Sequence, residues 1–325
     1  MTCSTSPSIA LHILVSPIIP PELILKIIQY LPFDNGKLLQ SIRSAHPRLE
    51  AILRNYEISI TRGFMKKELR HAETDFRYVG GRVSLDWLAN CVKNCNVVDD
   101  VMNVLCSEHN CMAVQPHNGA LAYAGLLLLY RLLSIDGHDS KINWIKSLES
   151  DPLAAMYLVL LHATLSARYH GTGWINQRTY GRFMDANQVE LRSELEFCFA
   201  EATLNIGPKY ISDSLLDYDT SNAEITLLNF YHDHGIHDWE WPCWGSGKGE
   251  FEPPRTQGPQ RAAGKGRSMY TTLLERMAEL IGCTLAEVRT RVEQDLERTD
   301  HSLAYLSLGG KARLLQGRDI VYIDD

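Results

Sequence analysis

A helix is predicted near the start of the chain by the sequence IPPELILKIIQYLP, which runs from Ile19 to Pro32. Proline is tolerated in the first turn of a helix, and a carboxylate there suits the positive end of the helix dipole. Pro20, Pro21 and Glu22 therefore favour a helix start at this point. Five aliphatic residues then recur at helical spacing and mark an apolar face: Leu23, Ile24, Ile27, Ile28 and Leu31.

Two more short helices are predicted directly after this one. Asp34-Asn35-Gly36 indicates a turn, and Leu38, Leu39 and Ile42 indicate the second helix. Pro47 favours the start of a third helix. Helical periodicity does not tell whether the apolar face of the first helix packs on the chain's own core or on a partner, so both interpretations stand.

The remainder of the chain is also predicted to be helical, which makes the fold class mainly α. Two helices are expected within Val83 to Leu105, and further helices at about 119–134, 141–149, 152–168 and 187–204, with a short element in 215–231 and two helices after 268. Asp151 is expected to cap a helix that begins at Pro152, and Thr284 with Glu287 forms a capping-box pattern. The one β-like run is Asp319 to Ile323.

Five segments are expected along the chain. Residues 1–17 form a flexible N-terminus, 18–62 a module of three short helices, and 63–244 a larger irregular helical domain. Residues 245–268 are rich in glycine, proline and basic side chains, a composition that buries too little apolar surface to fold and is typical of a flexible linker. Residues 269–325 form a C-terminal helical segment.

The segment from about residue 19 to residue 60 resembles an F-box. The apolar-Pro-Pro-Glu start, the amphipathic helix ending at Leu31, the pair Leu38-Leu39 and the basic positions Arg43 and Arg48 carry the resemblance. The longer context, in which Tyr56-Glu57 and Ile60 precede Arg62-Gly63-Phe64, is similar to fungal F-box-like proteins with long helical C-terminal regions.

The resemblance implies an adaptor and no enzyme, catalytic residue or cofactor. The N-terminal module would dock on a Skp-type subunit of a cullin–RING ubiquitin ligase, and the helical region would recruit a protein client of unknown identity. The residues expected at the adaptor interface are Pro20, Pro21, Glu22, Leu23, Ile24, Ile27, Ile28, Leu31, Leu38 and Leu39.

Composition argues against several other classes of protein. The 325 residues carry a formal net charge of −7, which gives no long-range attraction to nucleic acid or to an anionic membrane. The longest apolar stretch, Leu121 to Leu133, is shorter than the roughly 20 residues that span a bilayer. With no signal-peptide pattern and sparse cysteines, we expect a cytoplasmic or nuclear protein with reduced thiols.

Two alternative functions remain open. The spacing of His232, His234 and His237 resembles a metal-binding pattern of hydrolases, so a helical metal-dependent enzyme is the second hypothesis. The third is a helical scaffold with no ligase role. An aromatic loop carrying Trp239, Trp241 and Trp244 is the favoured interpretation of the histidine segment.

Two further groups of polar residues are interpreted without function. The cysteines at 91, 95, 106 and 111 are expected to be small apolar core residues, because their spacing does not match a zinc site. Glu190, Glu194 and Glu201 share one face of a predicted helix and are expected to be solvated.

Overall fold

The structure is a computed structural model that describes residues 16, 18–77, 83–171, 175–176, 189–216, 219–234, 267–299 and 303–320. For residues 189–193 and 234 it describes the backbone alone. The described residues form fifteen α-helices and no β-strand, which confirms the mainly α class. The chain divides into two compact units, residues 1–99 and residues 100–325.

The first unit contains the three short helices that the sequence predicts. They are α1 (Pro21–Tyr30), α2 (Lys37–Ala45) and α3 (Pro47–Asn55). The turn between α1 and α2 is a short 3-10 helix, Asp34–Gly36, in which Asn35 has a positive φ of 51°. Asparagine tolerates this left-handed conformation better than most residues do, so the Asp-Asn-Gly sequence fits the turn.

Helix α4 (Glu57–Glu68) closes the core of the first unit. It packs against α1 and α3, and the rings of Phe33 and Phe64 lie 5.2 Å apart between their centroids. Ile60 and Phe64 of α4 are fully buried, as are Leu49 and Leu53 of α3 to within 2%. Helix α4 runs without interruption past residue 62, and the first compact unit extends to residue 99. A short helix, α5 (Ala72–Asp75), follows.

A single helix, α6 (Leu85–Leu105), occupies the region where two helices are predicted, so that prediction is wrong. The segment contains no glycine or proline that would interrupt the backbone hydrogen bonds, and its polar residues in the middle are tolerated. Its start is fixed by Ser84, whose Oγ accepts from the backbone N–H of Trp87 at 3.1 Å. The division between the two compact units falls inside this helix.

The second unit is built from nine further helices among the residues described. They are α7 (Gly119–Leu133), α8 (His138–Ser147), α9 (Ser150–His170), α10 (Val189–Ile206), α11 (Pro208–Leu215), α12 (Thr220–His234), α13 (Met269–Ile281), α14 (Leu285–Glu297) and α15 (Leu308–Leu315). Helices α7 and α9 pack against each other in the centre, and α10, α11 and α15 pack against both. Helix α10 also packs against α12 and α13. No helix of the described ranges has the length and apolarity needed to cross a membrane.

Gly125 allows α7 and α9 to approach each other closely. A Cβ atom built on Gly125 would lie 2.2 Å from the backbone oxygen of Ala155 and 2.8 Å from a methyl carbon of Val159. Backbone atoms of a packed helix cannot move aside as a flexible side chain can, so a larger residue must force the two helices apart. Both helices are buried around most of their circumference, which is typical of helices at the centre of a core.

The carboxylate of Glu201 connects α10 to the start of α13. Glu201 is 1% exposed, so the prediction that this carboxylate is solvated is wrong. Its Oε2 accepts from Ser268 Oγ and from the backbone N–H of Tyr270, both at 2.8 Å, and its Oε1 accepts from the backbone N–H of Met269 at 3.0 Å. The first backbone N–H groups of a helix have no partner within the helix, so Glu201 supplies partners for them from another helix.

The segment after residue 268 therefore belongs to the core of the second unit. Helix α13 packs against α8, α9 and α10, and Leu273 and Met277 bring buried side chains to that core. The predicted capping box at the start of α14 is confirmed, because Thr284 and Glu287 exchange both hydrogen bonds. The backbone N–H and the hydroxyl of Thr284 each donate to Oε2 of Glu287 at 3.0 Å, and these two bonds lower the pKa of Glu287 below its usual value.

Residues 317–320 pair with the start of α9. The backbone N–H of Ile320 donates to Asp151 at 2.8 Å, and the backbone N–H of Asp151 donates to Asp319 at 2.7 Å. Asp151 is thus inside a helix that begins at Ser150 and holds the later segment, which corrects the expectation that it caps that helix. Asp319 and Ile320 form no strand, and residues 321–323 of the predicted β-like run lie outside the described residues.

We predict that Gly125→Ala lowers the free energy of unfolding by about 2–4 kcal/mol, because the added methyl group overlaps the backbone of α9. Gly119→Ala is the matched control, since a Cβ at Gly119 meets no atom within 4 Å. That control is expected to be neutral or stabilising by up to about 1 kcal/mol. Urea unfolding of both variants measures the difference, and equal stabilities would contradict the close approach.

We also predict that Glu201→Gln lowers the free energy of unfolding by about 2–4 kcal/mol. Both carboxylate oxygens accept from backbone N–H groups, so the amide nitrogen of glutamine must face a donor in either orientation. Glu279→Gln is the control, because the Glu279 side chain is 69% exposed in its pair with Arg276. Urea unfolding is the measurement, and a loss no larger than that of the control would show that the buried contact is weak.

Candidate functional site

Helix α1 carries two apolar stripes that face in different directions. Ile24 and Ile28 are 1% and 3% exposed, whereas Leu23 and Ile27 are 51% and 43% exposed. Residues four apart on a helix share a face, so each pair forms its own stripe. The two interpretations left open by the sequence therefore apply to different halves of one helix: one stripe packs on the chain's own core, and the other is exposed to solvent.

The ten residues predicted for a partner interface divide in the same way. Those exposed are Pro20, Glu22, Leu23 and Ile27; those half-buried are Pro21, Leu31 and Leu38; those buried are Ile24, Ile28 and Leu39. The three buried residues support the surface from beneath and do not form it. The exposed stripe of α1, here defined as Leu23, Ile27 and Tyr30, is the part that a partner can contact directly.

Two basic residues hold the ends of α1 in place. The guanidinium of Arg48 donates to the backbone oxygen of Ser16 and, at 2.6 Å, to that of Ile19, just before the helix. At the other end, Lys67 of α4 donates to the backbone oxygen of Gln29. The same ammonium group lies 5.5 Å from the centroid of the Tyr30 ring, within the range of a cation–π contact.

Sequence reasoning missed the most exposed apolar residues of this surface. Ile18 is 87% exposed and Tyr30 is 86% exposed, and neither is among the predicted interface residues. Tyr30 follows Leu23 by seven positions, so the helical spacing that selected Leu23 and Ile27 also reaches Tyr30. For Ile18, which precedes the helix, periodicity gives no signal.

A groove of about 640 Å³ lies along α4, beside the C-terminal end of α1. Its lining combines apolar, amide and basic side chains: Gln29, Asn55, Tyr56, Ile58, Ser59, Arg62, Gly63 and Lys66. Tyr56 and Ile58 are 40% and 52% exposed. Gly63 leaves room for Gln29, whose side-chain nitrogen is 3.4 Å from the position of a Cβ there. The groove thus reaches α1 at Gln29, one position before Tyr30 of the exposed stripe.

The charge beside this groove is positive although the chain as a whole is negative. Residues 62–70 contain four basic residues and one acidic residue: Arg62, Lys66, Lys67, Arg70 and Glu68. Arg62 and Lys66 are four positions apart on α4 and both are exposed at the groove. A local positive rim in a chain of net charge −7 favours a partner with acidic groups around an apolar contact.

The predicted histidine cluster is placed only in part. His232 is exposed on α12, and His234 is the last residue of that helix. His237 and the three tryptophans of the predicted aromatic loop lie outside the described residues. The metal-site hypothesis stays a prediction.

The four clustered cysteines occupy different environments. Cys91 is buried, and burial raises the pKa of its thiol to about 12 with smaller contributions from Cys95 and Asp75. Cys106 and Cys111 are exposed, which corrects the expectation that all four are core residues. Within the ranges that the structure describes, no group of three or more histidine, cysteine, aspartate or glutamate side chains is arranged to hold a metal ion.

No family model matches this chain, and no curated protein or solved structure matches it either.

We predict that the same substitution destabilises two adjacent isoleucine positions to very different extents. Ile28→Asp places an unpaired carboxylate in the core and should lower the free energy of unfolding by about 3 kcal/mol or more. Ile27→Asp changes an exposed side chain and should cost less than about 1 kcal/mol. Circular dichroism during urea unfolding measures both. Similar losses in the two variants would show that α1 does not present two distinct stripes.

Proposed function

We propose that residues 18–62 are an F-box-like docking module for a Skp-type subunit of a cullin–RING ubiquitin ligase. The rest of the chain then holds a protein client for that ligase. The observation that carries the proposal is the exposed stripe of α1, which lies on the segment whose sequence resembles an F-box. A helix face laid against partner helices, with anchors at helical spacing, is a common mode of protein recognition.

The exposed stripe would contribute apolar surface to such an interface. Complete burial of a leucine, isoleucine or comparable side chain contributes about 1.5–3 kcal/mol relative to leaving it in water. About half of Leu23 and of Ile27 is still exposed, so a partner that covers them gains part of this energy. Most of Tyr30 is exposed, so a partner can bury most of its area. Tyrosine is also among the residues that contribute most at interfaces, because it buries a large ring at a small cost in side-chain entropy.

The rigidity of α1 favours binding as well. The buried stripe fixes one side of the helix, while Arg48 and Lys67 hold its two ends through backbone oxygens. A surface that is already ordered loses little conformational entropy when a partner binds. The positive residues of α4 beside the stripe would attract a partner with an acidic rim and increase the association rate.

The experiment is a binding measurement between the full chain and a purified Skp-type adaptor. Leu23→Asp and Ile27→Asp are each expected to weaken binding about tenfold or more, because a charge replaces an apolar anchor. Ile225→Asp is the matched control, since Ile225 is 54% exposed on α12 in the other compact unit. Biolayer interferometry with the adaptor immobilised gives the dissociation constants.

The outcomes separate an adaptor from a scaffold. Binding by the wild type and by Ile225→Asp, together with loss in both stripe variants, is the expected result. No binding by a folded wild-type chain would overturn the ligase role and favour the helical scaffold. Unchanged binding by Leu23→Asp and Ile27→Asp would also contradict the proposal, because the adaptor would then contact some other surface.

A further inference from the structure

The loop that joins α6 to α7 is fastened to one face of α9. His162, Ser166 and His170 stand four residues apart on α9, so they form a single row along that helix. Each contacts one of three consecutive loop residues: His162 contacts Met112, Ser166 contacts Asn110, and His170 contacts Cys111. The loop therefore has a defined position although it contains no long regular helix.

The contacts of Ser166 and His162 with the loop involve buried or half-buried residues. The amide nitrogen of Asn110 donates to Ser166 Oγ at 2.7 Å, and both residues are buried. Burial lowers the pKa of His162, so its ring is neutral at physiological pH. Its Nδ1 lies 2.8 Å from the backbone oxygen of Met112 and donates to it. These contacts hold the residues on either side of Cys111.

The third contact brings a thiol to a base. Cys111 Sγ lies 3.4 Å from Nε2 of His170, and the backbone N–H of Cys111 donates to the same nitrogen at 3.2 Å. Because that N–H is a donor, Nε2 is the unprotonated nitrogen of the ring, and its single lone pair is shared between the backbone N–H and the thiol of Cys111. Both residues are exposed, so a small molecule can reach the sulfur.

His170 is the last residue of α9, at the end of the row that holds the loop. A cysteine beside a histidine that can accept its proton is a far better nucleophile than an isolated thiol, since the thiolate is the reacting form. The pair therefore has the properties of a reactive thiol site.

Four other described cysteines lie in different environments from Cys111. Burial raises the pKa of both Cys91 and Cys198 to about 12, and Cys95 lies 3.9 Å from a carboxylate oxygen of Asp99, whose charge disfavours a thiolate. Cys106 is exposed five positions before Cys111, but partial burial raises its pKa and no histidine contacts it among the residues described. Cys106 is thus a natural reference for Cys111 within the same loop.

We propose that Cys111 is a site of reversible S-thiolation by low-molecular-weight disulfides, with His170 as its general base. His170 Nε2 takes the thiol proton while Sγ attacks one sulfur of the disulfide. A bond forms between Cys111 Sγ and that sulfur, and the original sulfur–sulfur bond breaks. The departing thiolate takes the proton from His170, so Cys111 is oxidised and one half of the reagent is reduced to a thiol.

The test measures the rate of mixed-disulfide formation at each cysteine in the full chain. The native protein is incubated with oxidised glutathione, quenched with acid at intervals, and cleaved with a glutamate-specific protease. Glu108 lies between Cys106 and Cys111, so the two thiols appear on separate peptides, and fragment spectra distinguish Cys106 from Cys91 and Cys95 on its peptide. Cys111 is expected to react about tenfold faster than Cys106, or more.

The variants distinguish a base from a merely structural contact. His170→Gln should slow Cys111 about tenfold while Cys106 keeps its rate and the thermal midpoint stays within a few degrees. Added imidazole should restore part of the Cys111 rate in His170→Ala. In urea the native difference between Cys111 and Cys106 should vanish, because it depends on the folded loop.

Three results would overturn the proposal. One is a Cys111 rate no higher than that of Cys106 in the native chain. Another is a Cys111 rate in His170→Gln equal to that of the wild type. The third is an equally large advantage of Cys111 over Cys106 in urea, which would assign the reactivity to local sequence. None of these results depends on adaptor binding, so the docking proposal is tested separately.

Discussion

The buried carboxylate of Glu201 is the contact on which the second compact unit depends. It belongs to α10, which packs against five other helices, and it accepts hydrogen bonds at the start of α13 from Ser268, Met269 and Tyr270. A buried carboxylate is costly unless its oxygens are filled with donors, and the start of a helix needs acceptors. The start of α13 thus supplies donors to the carboxylate, and the carboxylate supplies acceptors to the start of α13. These hydrogen bonds fix the position of α13 relative to α10.

That contact also explains why the C-terminal helices join the central core. Once α13 is held by Glu201, its apolar residues reach α8 and α9, and α14 follows after the turn at Gly282. Asn118 and His117 then contact the backbone oxygen of Leu296 near the end of α14, at 2.6 Å and 2.9 Å. Polar side chains from the first half of the unit thus stabilise both ends of the C-terminal helical pair.

The sequence predicts local structure in this chain better than it predicts which elements meet. Proline at helix starts, the Asp-Asn-Gly turn and the Thr284–Glu287 capping box depend on neighbouring residues, and the structure contains each of them. Glu201 accepts a hydrogen bond from Ser268, which lies 67 positions further along the chain. Helical spacing carries no information about such a distant contact, so spacing alone predicts a solvated carboxylate. The contact of Asp151 is equally hard to predict, because its partner Ile320 is distant in the sequence.

For α1, too, the sequence predicts the helix itself but does not predict which other helix packs against it. Apolar spacing identified the helix and most of its exposed stripe, but periodicity could not separate Leu23 and Ile27 from Ile24 and Ile28. That separation comes from α4, which packs on one side of α1 and brings Phe64 into the core. The groove beside Arg62 and Lys66 likewise exists only because two helices are adjacent, so no single stretch of sequence encodes it.

Rows of polar side chains on helices give irregular segments of this protein a fixed position. Residues 110–112 are held by His162, Ser166 and His170, and residues 319–320 by Glu149 and Asp151 at the other end of α9. Helix α9 is therefore both the centre of the apolar core and the support for two segments without regular structure. A thiol on such a segment is exposed to reagents yet remains in register with a base, which requires a polar row as well as a hydrophobic face.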